Sequence, residues 1–503
     1  MVMADALPPA KLTKRSTLSR LKLNSIVWWR RAFVKKRVLP QINDDEASVV
    51  VRQHSSRNKL SHNSGGSTRY IQPDDIWEAL ATGHVRLVKM SWLIKRHAAN
   101  QNKKRGSAGI GKLPRRQEMP EEAFISVEEL KGMYGSGNSD GVLPIVAVSY
   151  CWLTPNHPDP ECDQLRTVAN ALARDREAFE EFGYSEMGVF WDWLSLHQRD
   201  DSLWKPYMYR PDERLNQKQR LAKQRYYNSR NEAETESIRY ALTETMDLWY
   251  AHMGTTVYLL VELPWRYAGR RPDYDASGWT TYERCSAELV KDAFLDHAEW
   301  KLVQALTDNT PGRPTASAAH RRAVAKRRWP IGPDDFDKLV QSKTFTNGAD
   351  QQAVSELYRR LATNLLGGSI SLDYEGLPTP SAEDGARLGR CLNLCTNVVT
   401  VDLQSDRIDG ECCAAIFGAL DKGVMPSLEH LYLQDNDIDD EGMHAIANAI
   451  NRGSMHKLKR LSTLTASETR PDGEFSGYSV LTAGINLSSN PGDSAIVNRV
   501  LAM

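Results

Sequence analysis

Three apolar stretches of strand character alternate with helical patterns through the middle of the chain. They run over Val142–Val148, Gly188–Trp193 and Thr255–Leu263. The first is apolar on both faces, which is typical of a central parallel strand buried between layers of helices. Apolar residues recur at helical spacing in the segments that follow: Leu165–Phe182, Glu232–Tyr250 and the segment that begins at Ser277. This alternation predicts a doubly wound α/β domain with a parallel sheet over residues 141–305.

Polar side chains follow the first of these stretches directly. Ser149 and Tyr150 come after Val148, and ligands of parallel α/β sheets bind beyond the carboxyl ends of the strands. We therefore expect Ser149 and Tyr150 to line a ligand site. Asp192 lies inside the second apolar stretch, where a carboxylate is costly unless it is paired or hydrogen-bonded. Asp192 is either a structural anchor or a site residue, and the sequence leaves both open.

The stretch Ser277–Leu289, SGWTTYERCSAEL, predicts the start of a helix that carries a carboxylate among aromatic rings. Ser277 is placed to cap the first turn. Glu283 lies four residues after Trp279, where burial beside the rings would desolvate and orient its carboxyl group. Carboxylates in such surroundings are candidates for chemistry. The alternative is an ordinary helix start in which Glu283 pairs with Arg284.

The segments around the predicted sheet have patterns of their own. Residues 73–140 contain short helical patterns and no candidate chemistry, which predicts a helical cap packed on the α/β domain. The polar stretch Arg199–Asn231 has no regular period and predicts an inserted loop or lid. Residues 306–366 predict a linker and helices. Their basic stretch HRRAVAKRRW, 320–329, indicates a solvated linker helix, with a nuclear address or a phosphate-facing patch as alternatives.

The C-terminal part, residues 367–503, is repetitive. Val401 aligns with Leu431, 30 residues further on, and the matching positions around both are apolar. A helical pattern follows each of these two strand-like segments. An earlier copy begins at Ile370, and a late copy begins at Ile485. A period of this length predicts stacked strand–helix units.

These units resemble leucine-rich repeats of the ribonuclease-inhibitor type. The resemblance implies a short α/β solenoid that binds a protein partner. Asn436 and Asn490 occupy the position whose side chain ties adjacent backbone turns together in such repeats. The late copy is displaced by an insertion around residues 465–478.

Composition limits the class of protein. The chain carries 64 basic and 64 acidic residues, so its overall charge favours neither nucleic acid nor a membrane surface. No apolar run approaches the roughly 18 residues of a membrane helix. Its seven cysteines lie mostly within apolar patterns, as in a reducing compartment. We therefore expect an intracellular, cytoplasmic protein.

Residues 1–72 differ from the rest. Ten Lys and Arg lie within residues 11–37, while Asp5 is the only acidic residue before Asp44. This composition predicts a disordered basic tail and linker, with an organelle transit peptide as the alternative. A secretory signal is not expected, because the longest apolar run there, Ile26–Trp29, is too short.

Four stretches of the central domain together resemble the heterokaryon-incompatibility domain, a relative of Toll/interleukin-1 receptor (TIR) domains. They are SYCW from Ser149, WDWLSLHQ from Trp191, MDLWYAHMGTTVYLL from Met246 and GWTTYE from Gly278. The resemblance covers about residues 144–300 and implies a flavodoxin-like parallel-sheet fold. The TIR loop with Arg-Asp and Pro-Gly is not visible in the sequence. The chain also departs from the family pattern at three positions: Leu153, His197 and Thr280.

The last of these stretches strengthens the likeness to TIR domains. Ser277, Trp279 and Glu283 reproduce the Ser-x-Trp-x-x-x-Glu spacing of the TIR helix whose Glu, in members that are enzymes, cleaves the nicotinamide–ribose bond of NAD. The resemblance implies that Glu283 is the catalytic carboxylate and that NAD is a substrate rather than a bound cofactor. Trp279 or Trp152 would stack on nicotinamide. The other residues expected to contact substrate are Ser149, Tyr150 and Asp192.

Two functions remain open on this resemblance. One is a signalling or defence-type protein that self-associates into a homo-oligomer, cleaves NAD and is regulated by its repeats. The other is a non-catalytic scaffold whose repeats bind a protein partner. Nucleic-acid binding is not expected, because aromatic residues are not interleaved with the charges near Arg321. No metal site is expected, since Cys151, His157 and Cys162 lack a fourth ligand.

Overall fold

Two five-stranded sheets, each with helices packed on it, organise the part of the chain that the computed structural model describes. The described residues are 69–101, 111–136, 141–208, 210, 212–269, 272–291, 302–307, 327–345 and 350–462, with the backbone of 485–486. Residues 1–68 of the predicted basic tail and linker, the predicted insertion at 465–478 and Asn490 lie outside the described residues. The prediction of disorder is wrong for the last four residues of the linker, because Tyr70 is buried and its hydroxyl donates to Asp247 at 2.7 Å. None of the described helices combines the length and the apolar character needed to cross a membrane.

The first sheet is mostly parallel, and the predicted central strand takes its central position. β2 (Ile145–Ser149) pairs in parallel with β3 (Gly188–Phe190) and with β4 (Thr256–Leu260). β5 (Val303–Leu306) extends the sheet in parallel beside β4, and β1 (Val88–Lys89) forms the other edge, antiparallel to β3. The prediction of an α/β fold with a parallel sheet is confirmed, whereas the two edge strands are not foreseen by the sequence patterns.

Side chains of this sheet alternate between two cores. Ala147 lies opposite Phe190 in β3 and Val257 in β4, and all three contribute to the core on one face. Val146 and Tyr258 belong to the core on the opposite face. Successive residues of a strand face opposite sides of a sheet, so the burial of every residue of β2 and β4 requires helices on both sides.

Helices supply both covering layers. In chain order the described helices up to the second sheet are α1 (Asp74–Ala81), α2 (Met90–Gln101), α3 (Val127–Ser136), α4 (Asp163–Arg174), α5 (Arg176–Glu181), α6 (Asp192–Ser195), α7 (Gln217–Tyr227), α8 (Glu232–Tyr240), α9 (Met246–Ala251), α10 (Gly278–Glu288), α11 (Pro333–Gln341) and α12 (Asp350–Gly368). A π-helical segment, Ala241–Thr245, joins α8 to α9. On one face α2 packs against α4, and on the other face α10 packs against α9 and α12.

Three segments differ from their predicted structure. Residues 73–140, predicted as a helical cap, also contribute the edge strand β1. Asp192, predicted inside the second strand, begins α6, because β3 ends at Phe190. The stretch Arg199–Asn231, predicted as a loop or lid, contains the 11-residue helix α7. No side chain of α7 is buried, so the helix has no apolar period by which it could be recognised.

The second sheet is built from strands at a regular interval. Its parallel strands are β6 (Ser371–Asp373), β7 (Thr400–Asp402), β8 (His430–Tyr432) and β9 (Arg460–Ser462). The register pairs Val401 with Leu431, as their spacing predicts, and Leu431 with Leu461. β10 (Ile485–Asn486) pairs antiparallel with β9. The predicted late copy at Ile485 therefore does not continue the parallel series. The strand that continues it is β9, which lies 30 residues after β8.

Helices and a side-chain tie hold these units together. The helices that follow β6, β7 and β8 are α13 (Ala382–Leu392), α14 (Gly410–Gly418) and α15 (Asp440–Asn451), and they pack side by side. Asn436 Oδ1 accepts hydrogen bonds from the backbone N–H groups of Asp406 and Ile408, at 3.1 and 3.0 Å. Its Nδ2 donates to the carbonyl oxygens of Leu403 and Leu433, at 2.6 and 2.9 Å. Asn436 thus ties two adjacent turns, as predicted.

The two sheets meet along α10. All described residues belong to the same compact unit of the chain. On the outer side of α10 the Tyr282 ring contacts Tyr358 of α12 edge-on, with 6.5 Å between ring centres. Just after α10, the Leu289 carbonyl oxygen accepts a hydrogen bond from the Tyr374 hydroxyl at 2.9 Å. One face of α10 therefore packs on the first sheet and the other on the segment that leads into the second.

The described end of the basic stretch also lies at this junction. Arg327 donates to the carbonyl oxygens of Glu288 and Asp373, both at 3.0 Å, and so bridges α10 to β6. Arg328 donates to the Glu288 carboxylate at 2.8 Å. Trp329 is buried, and its indole donates to a backbone carbonyl at 2.7 Å. These residues are not helical, so the prediction of a solvated linker helix is wrong for this end of the stretch.

Candidate active site

The strand order marks the carboxyl end of β2 as the place for a ligand site. From β2 the chain crosses to β3 on one side, and it then returns to β4 and β5 on the other side. At such a reversal the connections from neighbouring strands lead away from each other, and ligands of parallel α/β sheets bind in the gap between them. β2 ends at Ser149, and Tyr150 and Trp152 follow it in a loop.

Helix α10 brings Glu283 to this end of β2. The Ser149 hydroxyl donates a hydrogen bond to Glu283 Oε2 at 2.6 Å. The Tyr274 hydroxyl lies 2.5 Å from Ser149 Oγ, and Tyr274 is the donor there because the single Ser149 proton is directed to Glu283. The Tyr250 hydroxyl, which donates to the Val148 carbonyl oxygen at 3.3 Å, lies beside the Glu283 carboxyl group and lowers its pKa. Ser149 and Tyr274 thus form a hydrogen-bonded chain to this carboxyl group, with the Tyr250 hydroxyl next to it.

The surroundings of Glu283 favour its protonated form. The residue is only 8% exposed. Burial raises the pKa of its carboxyl group well above the usual value, and the nearby charge of Asp192 raises it further. The hydrogen bond from Ser149 and the neighbouring Tyr250 hydroxyl act in the opposite direction, because they stabilise the ionised form. Glu283 is therefore a carboxyl group that can hold and release a proton, rather than a permanent negative charge.

Arg284 is not the partner of Glu283. Its guanidinium donates to Glu288 at 3.0 Å and lies 3.3 Å from Asp275. Consecutive helical residues leave the helix axis about 100° apart, so Arg284 and Glu283 serve different faces of α10. The predicted alternative of an Arg284-paired Glu283 is wrong. The predicted capping role of Ser277 is also wrong, since this residue precedes the helix but its hydroxyl makes no capping hydrogen bond.

Asp192 supplies a second carboxyl group beside the first. The Tyr150 hydroxyl donates a hydrogen bond to it, and the Trp152 side chain makes another. The backbone N–H of Trp193 donates to Asp192 Oδ1 at 2.5 Å. Burial raises the pKa of Asp192, while these hydrogen bonds lower it. Two carboxyl groups with raised pKa values therefore lie at one end of the sheet.

The structure brings together all but one of the residues predicted for the site. The contacts of Trp279 are with α12 and with its own helix. Its indole Nε1 donates to Asp350 at 3.0 Å, and its ring contacts Tyr282 edge-on. Of the two tryptophans predicted to stack on nicotinamide, Trp152 is the one hydrogen-bonded to a carboxyl group of the site. The residues brought together are Ser149, Tyr150, Trp152, Asp192 and Glu283.

Sequence reasoning missed Tyr250 and Tyr274 as site residues. Tyr250 lies in α9, directly beyond the wider π-helical turn Ala241–Thr245, which shifts the register of the residues that follow it. Tyr274 begins the short 3₁₀ helix Tyr274–Ala276 before α10. Both residues are buried. Because a buried tyrosine hydroxyl needs a hydrogen-bond partner, tyrosine within an apolar pattern is the one signal that indicates polar groups nearby.

The site offers proton transfer and hydrogen bonding. It holds the carboxyl groups of Glu283 and Asp192, one serine hydroxyl and three tyrosine hydroxyls. Among the described residues, no group of three or more His, Cys, Asp and Glu side chains is placed to hold a metal ion. Comparison of the sequence with models of known protein families, with curated proteins and with solved structures finds no match.

Proposed function

We propose that this chain cleaves the bond between nicotinamide and ribose in NAD. In this proposal a TIR-like domain of the heterokaryon-incompatibility type carries the activity, leucine-rich repeats regulate it, and the protein serves in signalling or defence. The observation that supports it most is the hydrogen bond between Glu283 and Ser149. That contact holds a protonatable carboxyl group where the strand order reverses, with the carboxyl group of Asp192 nearby.

The order of the strands supports the TIR-like part. Numbered along the chain, the parallel strands of the first sheet lie in the order second, first, third, fourth, which is the order of flavodoxin-like folds. β1 adds an antiparallel strand beyond them. The regular register of the second sheet and the hydrogen bonds of Asn436 support the leucine-rich-repeat part.

Glu283 has a clear part in such a cleavage. Departure of nicotinamide leaves an oxocarbenium-like ribose, which an ionised carboxylate stabilises. The positive charge of the nicotinamide ring in NAD lowers the pKa of a nearby carboxyl group, so substrate binding favours the ionised form of Glu283. The Ser149 hydroxyl donates to that carboxylate and fixes its orientation, and Tyr250 beside it also favours the ionised form.

Asp192 completes the reaction in this proposal. Water adds to the ribose carbon from which nicotinamide has departed, giving ADP-ribose, nicotinamide and one proton. Asp192, with its raised pKa, accepts the proton of the attacking water, while Tyr150 keeps the carboxyl group in place. Glu283 is enclosed in the described structure, so the residues around it must move before substrate enters. We attribute that opening to self-association of the domain.

The test is NAD turnover by the full chain, at high concentration and when crowded on a surface. The parent is compared with Glu283→Gln, which keeps the size of the side chain and removes its ionisation. Asp406→Asn is a matched control, because Asp406 is another buried acid whose pKa burial raises, to about 8. We expect turnover in the parent and the control, and a loss of about 100-fold or more in Glu283→Gln.

Absence of turnover in the folded parent under both conditions would overturn the proposal. So would equal turnover in the parent and in Glu283→Gln. The thermal midpoints of all three proteins establish that each is folded. Turnover that is lost in Glu283→Gln and kept in Asp406→Asn separates chemistry at one carboxyl group from any general effect of replacing a buried acid.

A non-catalytic scaffold is the second candidate, and the outer face of the second sheet favours it. Gln434 donates to Gln404 of the preceding turn at 2.6 Å. The Tyr432 ring stacks on His430, with 6.3 Å between centres, and Arg460 lies 5.5 Å from its centre. Aromatic and arginine side chains of this kind are enriched where proteins bind proteins. Capture of a defined protein partner that tolerates Glu283→Gln but not Tyr432→Ala would support this candidate.

A further inference from the structure

Arg199 and Arg230 lie close together in the segment between β3 and α8. The backbone N–H of Asp200 donates to the Ser229 hydroxyl at 2.9 Å, so the residues next to them, Arg199 and Arg230, start from neighbouring points of the backbone. Arg230 also donates to the carbonyl oxygen of His197 at 3.4 Å. These hydrogen bonds close the segment between Arg199 and Arg230 and keep the two guanidinium groups near each other.

The positive charge of this pair is not balanced within the described part of the chain. No described carboxylate lies within 4.0 Å of either guanidinium. Acids near in sequence have other partners: Asp200 lies 3.8 Å from Arg115, Asp201 lies 2.5 Å from Lys112, and Glu234 accepts from the backbone N–H of Asn231 at 2.9 Å. The charge of Glu234 acts on Arg230 only from beyond ion-pair distance. The helix that follows, α7, carries four basic residues and no acidic one.

Burial makes this imbalance costly. The Nε–H groups of Arg199 and Arg230 are out of contact with solvent, and neither has an acceptor. Burial and the charge of Arg199 lower the pKa of Arg230 to about 10. A half-buried cation with an unsatisfied N–H group and no ion-pair partner destabilises the folded state, and a bound anion would offset this.

The pair is also held rigid before any ligand arrives. The Arg199 guanidinium lies over the rings of Tyr227 and Tyr226, at 4.5 and 5.7 Å from their centres. Cation–π contacts of this kind fix the plane of the guanidinium group and leave its edge free to donate hydrogen bonds. A rigid donor loses less entropy on binding than a mobile lysine would.

We infer that Arg199 and Arg230 form a binding site for a phosphoryl group. Each guanidinium presents a planar pair of N–H donors that matches two oxygens of a phosphate, and two guanidinium groups balance its two negative charges. The site adjoins the candidate active site, because the side chain of Gln198 donates to the Asp192 carbonyl oxygen at 3.1 Å. The pyrophosphate of a dinucleotide substrate is therefore its natural source. That identification of the ligand rests on the proposed function, whereas the phosphoryl site itself does not.

The test is calorimetric titration of the full chain carrying Glu283→Gln, so that binding is measured without turnover. The probes are pyrophosphate, ADP-ribose and nicotinamide riboside, the last of which has no phosphate. We expect the first two to bind, and Arg199→Gln and Arg230→Gln each to weaken them about tenfold or more. The matched control is Arg176→Gln, since Arg176 is an exposed arginine paired with Glu180 at 3.0 Å. It should change binding less than twofold.

Failure of both phosphate-bearing probes to bind would overturn the inference, as would equal weakening by Arg176→Gln. If Arg199→Gln does not fold, Arg230→Gln and Arg230→Lys still decide, because lysine keeps the charge and loses the paired donors. Arg230→Gln is also made without Glu283→Gln, so that turnover can be measured. If this variant has a raised KM for NAD and an unchanged kcat, the site binds the substrate. Binding that depends on Arg230 without any NAD turnover assigns it to a separate phosphate-bearing effector, and it leaves the inference standing when the proposed function fails.

Discussion

At the scale of residues, the buried carboxyl group of Glu283 links the stability of the fold to pH. In an unfolded chain a glutamate releases its proton near about pH 4.3. In the folded protein burial raises the pKa of Glu283 well above that value. Between the two pKa values the folded state keeps a proton that the unfolded state has lost. The contribution of Glu283 to stability is therefore fully present below the unfolded pKa, and it is lost as pH rises through the folded pKa.

Glu283→Gln should remove this dependence, because glutamine stays neutral at every pH. We expect the variant to be more stable than the parent at pH 8 by roughly 1–3 kcal/mol, and to lie within about 1 kcal/mol of it at pH 5. Urea unfolding at the two pH values measures both differences. The exposed Glu181→Gln serves as a control for the loss of one carboxyl group. Equal stability differences at pH 5 and pH 8 would contradict a raised pKa at Glu283.

The residues of the site were predictable to different degrees. Ser149 and Glu283 could be found because a strand end and a helix start are both visible in the sequence pattern. Tyr250 and Tyr274 could not, because a tyrosine in an apolar pattern looks the same whether its hydroxyl meets a backbone carbonyl or a carboxyl group. The direction of Trp279 was equally hidden, since it depends on α12, which lies far along the chain.

At the scale of elements, two adjacent turns of the second sheet carry different residues at the same position. Asp406 takes, 30 residues earlier, the place of Asn436, and its Oδ1 accepts from the backbone N–H of Leu377 at 2.7 Å. Its Oδ2 is buried and has no hydrogen-bond partner. In Asn436 the matching group is an NH2 that donates to two carbonyl oxygens. Burial accordingly raises the pKa of Asp406 to about 8.

Asp406→Asn should stabilise this turn. The change replaces the Oδ2 atom of Asp406, a buried acceptor that no group donates to, by an NH2 group that can donate hydrogen bonds. The stability that Asp406 contributes in its protonated form is complete below about pH 4, the unfolded pKa, and is lost as pH rises through about 8. The gain from asparagine is therefore largest at pH 9, where we expect roughly 1–3 kcal/mol. Thermal unfolding at pH 5 and pH 9 measures it. The reverse change, Asn436→Asp, should destabilise, and a gain in stability from it would contradict this account.

Elements formed by long apolar stretches were predictable from the sequence, and short or exposed elements were not. β2 and β4 are buried throughout, so their sequences are apolar throughout. β1 has two residues and gains its structure from pairing with β3, which no local pattern records. β9 repeats β8 after 30 residues, but the sequence pattern predicts the late copy at Ile485 instead.

At the scale of the whole molecule, buried charges join the two sheets. The Glu288 carboxylate at the end of α10 accepts from Arg284 at 3.0 Å and from Arg328 at 2.8 Å. Burial alone would raise the pKa of Glu288, but these two arginines hold it below the usual value. The stability that Glu288 contributes is thus present above the unfolded pKa, and it is lost as pH falls through the folded pKa.

Arg328→Gln should weaken this junction. One of the two cations that balance Glu288 is lost, and we expect a decrease of roughly 1–3 kcal/mol in the free energy of unfolding at pH 7, less than for a fully enclosed pair because Arg328 is partly exposed. Urea unfolding at pH 7 measures it. The control is Arg359→Gln, which removes an arginine paired with Asp334 and Asp337 nearer the surface and should cost under about 0.5 kcal/mol. Equal effects of the two changes would contradict a special role for Arg328.

The contact between Tyr282 and Tyr358 also decides where the gene can be divided. A fragment that ends after the first sheet would bare the outer side of α10, including a tyrosine that is fully buried in the whole chain. Newly bared apolar surface of this kind drives aggregation. Neither half should therefore be soluble when it is expressed alone. A mutation that unfolds the repeats should also disrupt the site at Glu283.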